Sequence, residues 1–104
     1  MTETLAIALA QINPTVGDIH GNLDRICAAR AEAAEIGADL VIYGELAVSG
    51  YPPEDLVLKR AFQDAVEEGV NKLAAKTDDG GPGILIGAPW RKDGLLYNAA
   101  VLLD

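Results

Sequence analysis

The sequence predicts an α/β protein in which helices alternate with the strands of one sheet. Short apolar runs recur along the chain and have the length of buried strands. Two longer segments, with apolar residues at helical spacing, separate the first three runs. The last two runs flank Lys92-Asp93-Gly94, which is a hairpin signal. The predicted order of elements is therefore β-α-β-α-β-β.

The first strand and the first helix are predicted at the start of the chain. Residues 5–10 are apolar at every position, which favours a strand that is covered on both faces. Gly21-Asn22 supplies an N-cap, so the helix is expected from about residue 23 to residue 36. Gly37 then ends this helix.

The second strand and the second helix follow. Residues 40–43 form a short apolar run that is typical of a buried strand, and the helix before it indicates a parallel strand pair. Pro53, followed by the acidic Glu54 and Asp55, is expected to open the second helix, which continues to about residue 75.

The third and fourth strands are predicted as a hairpin. Residues 77–83 are rich in Asp, Gly and Pro, and this composition indicates a turn. Strands are then expected at residues 84–88 and 95–103. The outer strand has no covering element in the sequence, so we expect the chain to be part of a larger fold.

Composition limits the classes of function. The 104 residues are sufficient for one small domain, and half of them are hydrophobic, which favours a globular protein. Sixteen acidic residues oppose eight basic ones, giving a net charge of -8. Because this surface repels phosphate backbones and anionic headgroups, neither nucleic acid nor a membrane is expected as a partner.

Targeting, disulfide and metal signals are weak. The start of the chain lacks the basic residues of a signal peptide, so we expect a cytoplasmic protein. Cys27 is the single cysteine and excludes an internal disulfide. With His20 as the single histidine, no group of residues has the spacing of a metal site, and none is predicted.

The chemically distinctive segment is residues 43–56, where Glu45 follows the second strand. On position alone, Glu45 could be an ordinary acidic residue at a strand end. The segment resembles the glutamate motif of the nitrilase, or carbon-nitrogen hydrolase, superfamily. Residues 11–18, 51–56 and 97–100 are further similar to the glutaminase domain of bacterial glutamine-dependent NAD synthetases. One departure is Gly44, where the family usually has proline.

The resemblance implies a catalytic role for Glu45 as proton acceptor. In this family a glutamate, a lysine and a cysteine cooperate: the cysteine attacks the amide carbon, and the lysine stabilises the oxyanion. Cys27 lies on the packing face of the first helix, where a thiol acts as a small hydrophobe. No lysine of the chain matches the family's lysine motif either; the four are Lys59, Lys72, Lys76 and Lys92. The isolated chain is therefore expected to be inactive.

A free glutamate would be a poor base for this reaction. Its pKa of ~4.3 lies far below the ~8.5 of a thiol, so proton transfer begins uphill by roughly 6 kcal/mol. Burial raises the pKa of a carboxyl group. Because Glu45 follows an apolar strand, we expect a pocket there that could bury it.

The implied fold is a fragment of the nitrilase-like α-β-β-α sandwich, with residues 1–104 as the N-terminal portion of a glutaminase domain. That domain hydrolyses glutamine to glutamate and ammonia for the ATP-dependent amidation of nicotinate adenine dinucleotide, a carbon-nitrogen ligase activity. The implied partners are glutamine, the remainder of the glutaminase domain and a synthetase domain, in a homo-oligomeric parent. No cofactor is implied for this chain, whereas ATP and Mg are implied for the synthetase domain.

Several alternatives stay open at this stage. Another nitrilase-type amidase acting on a small amide, and a non-enzymatic α/β binding module, are both compatible with the sequence. Tyr51 could line the entrance for glutamine or pack beside Pro52 and Pro53. Arg30 lies in the apolar arc of the first helix, where a snorkelling or ion-paired guanidinium is favoured over a role at the active site. Its partner cannot be named from the sequence.

Overall fold

The structure, a computed structural model, describes residues 3–104. These residues form one four-stranded sheet and two α-helices. The sheet order is β1-β2-β3-β4. β1 and β2 are parallel, as are β2 and β3, whereas β3 and β4 are antiparallel. The predicted order and the parallel pairing are thus confirmed. The elements are β1 (Ile7–Leu9), α1 (Ile19–Glu35), β2 (Leu40–Ile42), α2 (Arg60–Lys76), β3 (Gly83–Lys92) and β4 (Leu95–Leu103), with short 3-10 helices at Glu54–Leu58 and Thr77–Asp79.

Both helices pack on one face of this sheet and form the core with it. Val41 and Ile84 are partners in adjacent strands, so their side chains share a face, and both are fully buried. Ile26 of α1 and Val66 of α2 are also fully buried in the same apolar cluster. The side chains at this interface remove apolar surface from water, which is the main stabilising contribution to such a layer.

The opposite face of the sheet remains open within residues 3–104. Ile7 and Leu9 of β1 are 48% and 75% exposed, and Leu102 of β4 is 63% exposed. The prediction that the first strand is covered on both faces is therefore wrong for the described chain. Side chains alternate along a strand, and Ala8 shares the helix-covered face with its partner Val41, so its two neighbours point away from the helices.

Helix α1 begins one turn earlier than the sequence predicted. Asp18, not Asn22, is the N-cap: its Oδ1 accepts a hydrogen bond from the Gly21 N–H at 3.0 Å. The helix therefore starts at Ile19, and Asn22 lies within it, fully buried. An aspartate satisfies the first free N–H groups as well as an asparagine does, which leaves the Asn22 amide available for another set of contacts.

The single helix predicted from Pro53 to residue 75 is interrupted. A 3-10 helix at Glu54–Leu58 ends at Lys59, whose backbone is extended with ψ of 125°, and α2 begins at Arg60. The Gln63 side chain donates to the Val57 carbonyl at 2.7 Å, which satisfies a group that the break leaves without a helical partner. Leu58 consequently points to solvent instead of joining the packing face.

The hairpin is confirmed, with a longer β3 than predicted. Asp93 and Gly94 form the turn, and β4 has the predicted bounds. β3 extends to Lys92 because antiparallel pairing continues to the turn, where Lys92 pairs with Leu95. Neither helix of residues 3–104 is long and apolar enough to cross a bilayer.

Arg30 is ion-paired, as the sequence favoured. Its side chain is largely buried, and its guanidinium donates to both carboxylate oxygens of Asp79 at 2.8 and 2.9 Å. Its Nε also donates to the Pro82 carbonyl at 2.8 Å. The Arg30 hydrogen bonds, together with the Gly81 N–H, hold the pKa of Asp79 well below its usual range. This pair ties α1 to the turn between α2 and β3.

We expect Asp79→Asn to destabilise the full-length protein near neutral pH. The folded-state pKa of Asp79 is depressed, so its contribution is present above the unfolded value of ~3.9 and is lost as the pH falls toward the folded pKa. The difference in unfolding free energy between wild type and variant should thus shrink between about pH 5 and pH 2. Denaturant unfolding across this range measures it. Asp78→Asn, one residue away, is the control, and an equal effect there would contradict the assignment.

Candidate active site

A cavity of about 420 Å³ opens at the end of the sheet where β1 and β2 finish. Parallel strands bring their carboxyl ends to the same edge, so the segments that follow them form its two walls. One wall is residues 9–14, after β1, and the other includes residues 42–45, after β2. Ala47 and Tyr51 complete the lining. Glu45 is the carboxylate among these lining residues.

Glu45 is held by an asparagine from the far edge of the sheet. Asn98 of β4 donates from Nδ2 to Oε1 of Glu45 at 2.7 Å. Side chains alternate between the two faces along a strand. Asn98 lies five positions before Leu103, which is buried on the helix face, so Asn98 points to the opposite face. A second cavity of about 260 Å³ lies between Glu45, Gly87 and Asn98. The carboxylate thus lies where the two cavities meet.

The described residues do not bury Glu45. It is exposed in the structure, although residues 46–50 immediately after it are all buried. The apolar strand β2 supplies one wall of a pocket, as expected, but the remaining sides are open within residues 3–104. Enclosure of this carboxylate therefore requires atoms that these residues do not supply.

The turn that carries Glu45 packs directly onto the backbone of β3. A side chain at Gly87 would place its Cβ 2.4 Å from the Leu46 nitrogen and 2.8 Å from the Gly44 oxygen, distances that real atoms do not reach. The Val48 N–H also donates to the Gly87 carbonyl at 3.2 Å. Leu46 itself has a φ of 52°, a conformation that non-glycine residues adopt rarely. Only glycine at position 87 permits this approach.

Tyr43 anchors the strand end that leads to Glu45. Its phenol is buried and donates to the Ile26 carbonyl of α1 at 2.7 Å. Its backbone N–H continues the sheet by donating to the Leu85 carbonyl at 3.0 Å. Burial raises the pKa of Tyr43 to about 12, so the phenol remains a donor at any physiological pH.

The other side of the Glu45 turn is attached to the loop before α1. The Gly17 N–H donates to the Ser49 carbonyl at 3.0 Å. Gly50, with a φ of 82°, lies so close to this loop that a Cβ would meet the Val16 backbone at 2.6 Å. Asn22 of α1 bonds to both segments, through the Thr15 backbone and the Val48 carbonyl.

Tyr51 lies in the wall of the larger cavity and is 61% exposed. Tyr51 and Glu45 thus line the same cavity, and a role of Tyr51 at a glutamine entrance stays a prediction. Of the neighbouring prolines, Pro53 is buried and Pro52 is exposed. Glu54 and Asp55 are exposed residues of the following 3-10 helix and are not part of the lining.

Cys27 and Glu45 are not brought together. Cys27 is half-buried and packs against the core from α1. It lines a separate cavity of about 500 Å³ with Arg30, Lys76 and Asp79. The linings of the two cavities at Glu45 contain neither lysine nor cysteine within residues 3–104. In that same range, no cluster of three acidic, histidine or cysteine side chains could hold a metal ion.

Sequence reasoning missed the roles of Asn98 and Asn22. Asn98 is the polar residue on a strand face that otherwise carries Leu96, Ala100 and Leu102, and this placement was a readable signal. Asn22 precedes Ile26 and Arg30 at four-residue intervals, so it belongs to the packing face of α1 once Asp18 is identified as the cap.

Comparison with known proteins shows which family the chain resembles. Residues 6–104 match the carbon-nitrogen hydrolase family. A glutamine-dependent NAD(+) synthetase of Xanthomonas campestris is 43% identical over 101 residues, which cover 96% of this chain and 18% of that protein. The glutamine-dependent NAD(+) synthetase of Synechocystis is 41% identical over 105 residues, which cover 94% of this chain and 19% of that protein. The chain thus spans about a fifth of the length of these relatives.

Solved structures agree with the sequence comparison. The glutamine-dependent NAD(+) synthetase of Cytophaga hutchinsonii superimposes with a TM-score of 0.89 at 29% identity, and the match covers 98% of this chain and 17% of that one. The described strands and helices are therefore a fragment of a nitrilase-like fold. An amidase variant from Nesterenkonia sp. AN1, which carries the acetamide moiety of fluoroacetamide on its active site cysteine, matches at TM-score 0.75 and 26% identity over 94% of this chain and 36% of that one.

We expect Gly87→Ala to destabilise the protein by about 1–3 kcal/mol or more, the usual cost of inserting atoms into a packed site. The added methyl group would collide with the backbone on both sides of Glu45. Gly44→Ala is the matched control, because no atom lies within 4 Å of its added Cβ, and it should change stability by no more than about 0.5 kcal/mol. Denaturant unfolding of the full-length variants checks both. Equal effects at the two glycines would refute the close-packing argument.

Proposed function

This chain belongs to the carbon-nitrogen hydrolase family, and from that membership we propose that it forms the N-terminal part, residues 1–104, of a glutaminase domain with Glu45 as the catalytic proton acceptor. One observation carries the proposal. The Glu45 carboxylate lies at the carboxyl end of parallel strands, in a cavity, and is oriented there by the Asn98 amide. The match to glutamine-dependent NAD(+) synthetases along nearly the whole chain supports the choice of substrate.

The proposed chemistry divides the work between this chain and the rest of the domain. Glu45 accepts the proton of a cysteine thiol, and the thiolate attacks the amide carbon of glutamine. Glu45 passes this proton to the amide nitrogen as the C–N bond breaks, so ammonia leaves and a thioester remains. Water then attacks the thioester carbon with Glu45 again accepting a proton, and the C–S bond breaks to release glutamate and, after return of that proton, the cysteine thiol. The cysteine and the oxyanion-stabilising lysine are supplied by other segments. The same segments would enclose the carboxylate, which the described residues leave exposed.

Enclosure is what makes Glu45 a competent base in this proposal. Proton transfer from a thiol to a solvated carboxylate begins uphill by roughly 6 kcal/mol, and exclusion of water reduces this difference because it disfavours the charged carboxylate. Glu45 also lines the smaller cavity beside Asn98, on the uncovered sheet face, where further layers of the domain would pack. The contacts that cover the open sheet face would then also enclose the Glu45 carboxylate and make it a stronger base.

Tyr51 is proposed to border the glutamine entrance. Its ring is exposed at the edge of the cavity that contains Glu45, and its hydroxyl is a donor and acceptor of the kind that an amide substrate can use. Glu54 and Asp55 have no part in this site, since they lie outside the lining.

The fate of the ammonia is proposed from the relatives. We infer a parent protein that passes ammonia to a synthetase domain, which amidates nicotinate adenine dinucleotide with ATP and Mg. The glutamine-dependent NAD(+) synthetases that the chain matches are about five times as long as the matched segment, which leaves length for a synthetase domain outside residues 1–104. A homo-oligomeric parent is part of the same proposal.

A second candidate is an amidase for a different small amide. The observation in its favour is the structural match to the Nesterenkonia amidase, which forms an adduct at its active site cysteine. The two candidates share the role of Glu45 and differ in substrate. Parallel assays of the full-length protein with glutamine and with acetamide separate them.

In the full-length protein, Glu45→Gln should lower glutamine-dependent NAD formation by ~10²–10⁴-fold, because the amide cannot accept a proton. NAD formation from added ammonium should remain near wild type, since ammonia bypasses the glutaminase step. Steady-state assays with each nitrogen source measure the split.

Glu54→Gln is the control for this experiment, as it removes a nearby carboxylate that does not line the cavity. Parallel loss of both activities in Glu45→Gln would indicate a structural role. Unchanged glutamine activity would show that Glu45 is not the base.

The isolated 104-residue chain should release no ammonia from glutamine above background, because a carboxylate alone cannot form the thioester. Cys27→Ala should leave this result unchanged, since Cys27 lines a different cavity from Glu45. A sensitive ammonia assay on the purified chain decides the matter. Turnover that disappears in Cys27→Ala would overturn the assignment of the nucleophile to another segment.

A further inference from the structure

Asn22 is a fully buried amide whose hydrogen-bonding groups are all used. Its Nδ2 donates to the Thr15 carbonyl at 2.8 Å and to the Val48 carbonyl at 3.0 Å. Its Oδ1 accepts from the Thr15 N–H at 2.7 Å and from Arg25 at 3.1 Å. An amide has two donor hydrogens and two acceptor positions, and these four bonds occupy them. A buried polar side chain with this many specific partners defines one arrangement of the surrounding backbone.

The backbone groups that Asn22 binds adjoin the two walls of the Glu45 cavity. Thr15 directly follows the wall formed by residues 9–14. Val48 lies three residues after Glu45, in the turn that carries the carboxylate. Thr15 and Val48, which adjoin the two walls, are more than thirty residues apart in the chain. One rigid amide group bridges them, so its width helps to fix their separation.

The position of Glu45 depends on this bridge through a short and closely packed path. The Val48 carbonyl is held by Asn22, while the Val48 N–H is held by Gly87 of β3. Both the N–H and the carbonyl of Val48 are thus hydrogen-bonded, and its side chain is fully buried. A shift at Val48 would move a turn that has almost no free space against β3.

We propose that Asn22 is a positioning residue for the glutaminase reaction: it does not touch the substrate, and it sets the distance between Glu45 and the opposite wall of the cavity. The inference rests on the proposed function for its assay. Reaction rates fall steeply when reacting groups are displaced, by as much as ~10²-fold for about 1 Å. Loss of the bridge should therefore reduce turnover even when the protein remains folded.

Two substitutions test the bridge in the full-length protein. Asn22→Asp keeps the side-chain size and the oxygen that accepts from Thr15 and Arg25, but it replaces both donor hydrogens and places an oxygen against the Val48 carbonyl. Asn22→Ala removes the whole amide. Either variant should lower kcat for glutamine hydrolysis by ~10–100-fold, with a smaller change in KM. NAD formation from ammonium should stay within about twofold of wild type, as expected for an effect confined to this site.

Two controls separate positioning from general loss of stability. Asn71→Ala removes an exposed asparagine of α2 that is not part of the cavity and should change neither activity. Asp79→Asn destabilises the fold through the Arg30 pair and should leave kcat unchanged. An equal loss of kcat in Asp79→Asn, or a normal kcat in a folded Asn22 variant, would overturn the inference.

Hydrogen exchange on the wild-type protein keeps the inference testable if both Asn22 variants fail to fold. The Thr15 N–H donates to the buried Oδ1 of Asn22, so it should exchange as slowly as the N–H of Val48. Exchange of Thr15 at the rate of an open loop would refute the bridge. Normal glutamine turnover in Glu45→Gln would instead refute the proposed function, whereas loss there with normal Asn22 variants would refute this inference alone.

Discussion

Three separate elements approach the backbone of the turn after β2 and constrain it. β3 meets it at Gly87, where no side-chain atom could be accommodated. Helix α1 reaches it through the Asn22 amide, and the loop before α1 reaches it at Gly50. The catalytic candidate Glu45 therefore stands on a backbone that cannot shift without disturbing the sheet, the helix or the loop. Rigid support of this kind is what a reacting carboxylate needs.

The two faces of the sheet differ in what they contact. The face covered by α1 and α2 supplies the apolar core. The opposite face bears exposed apolar side chains and also presents Asn98 beside Glu45. The covered face thus carries the core, and the open face carries the Asn98 contact to Glu45. Arg30 and Asp79 line a cavity different from the two at Glu45.

The sequence predicted the features that depend on local pattern. Hydrophobic periodicity and the positions of glycine, proline and capping residues predict the order of strands and helices. They also predict the Asp93-Gly94 turn and the place of Glu45 after a parallel strand. The features that depend on contacts between distant segments were not predictable in this way. Asp18 and Asn22 are both good caps by residue type, and only the buried surroundings of Asn22 distinguish them. The break at Lys59 and the exposure of Glu45 likewise depend on the residues that surround them in the fold. Residue type alone does not specify these neighbours.

The partnership between Asn98 and Glu45 has a consequence for how this gene can vary. Neighbouring residues of β4 point to opposite faces, so the parity of the hairpin decides whether position 98 faces the carboxylate or the helices. With the turn held in place, a deletion of one residue between Gly94 and Asn98 would present Ala99 to Glu45, and an insertion of one residue would present Tyr97. Insertions or deletions in pairs would preserve the facing. The spacing from an exposed turn to Asn98, which could otherwise vary, is in this protein coupled to which side chain faces Glu45.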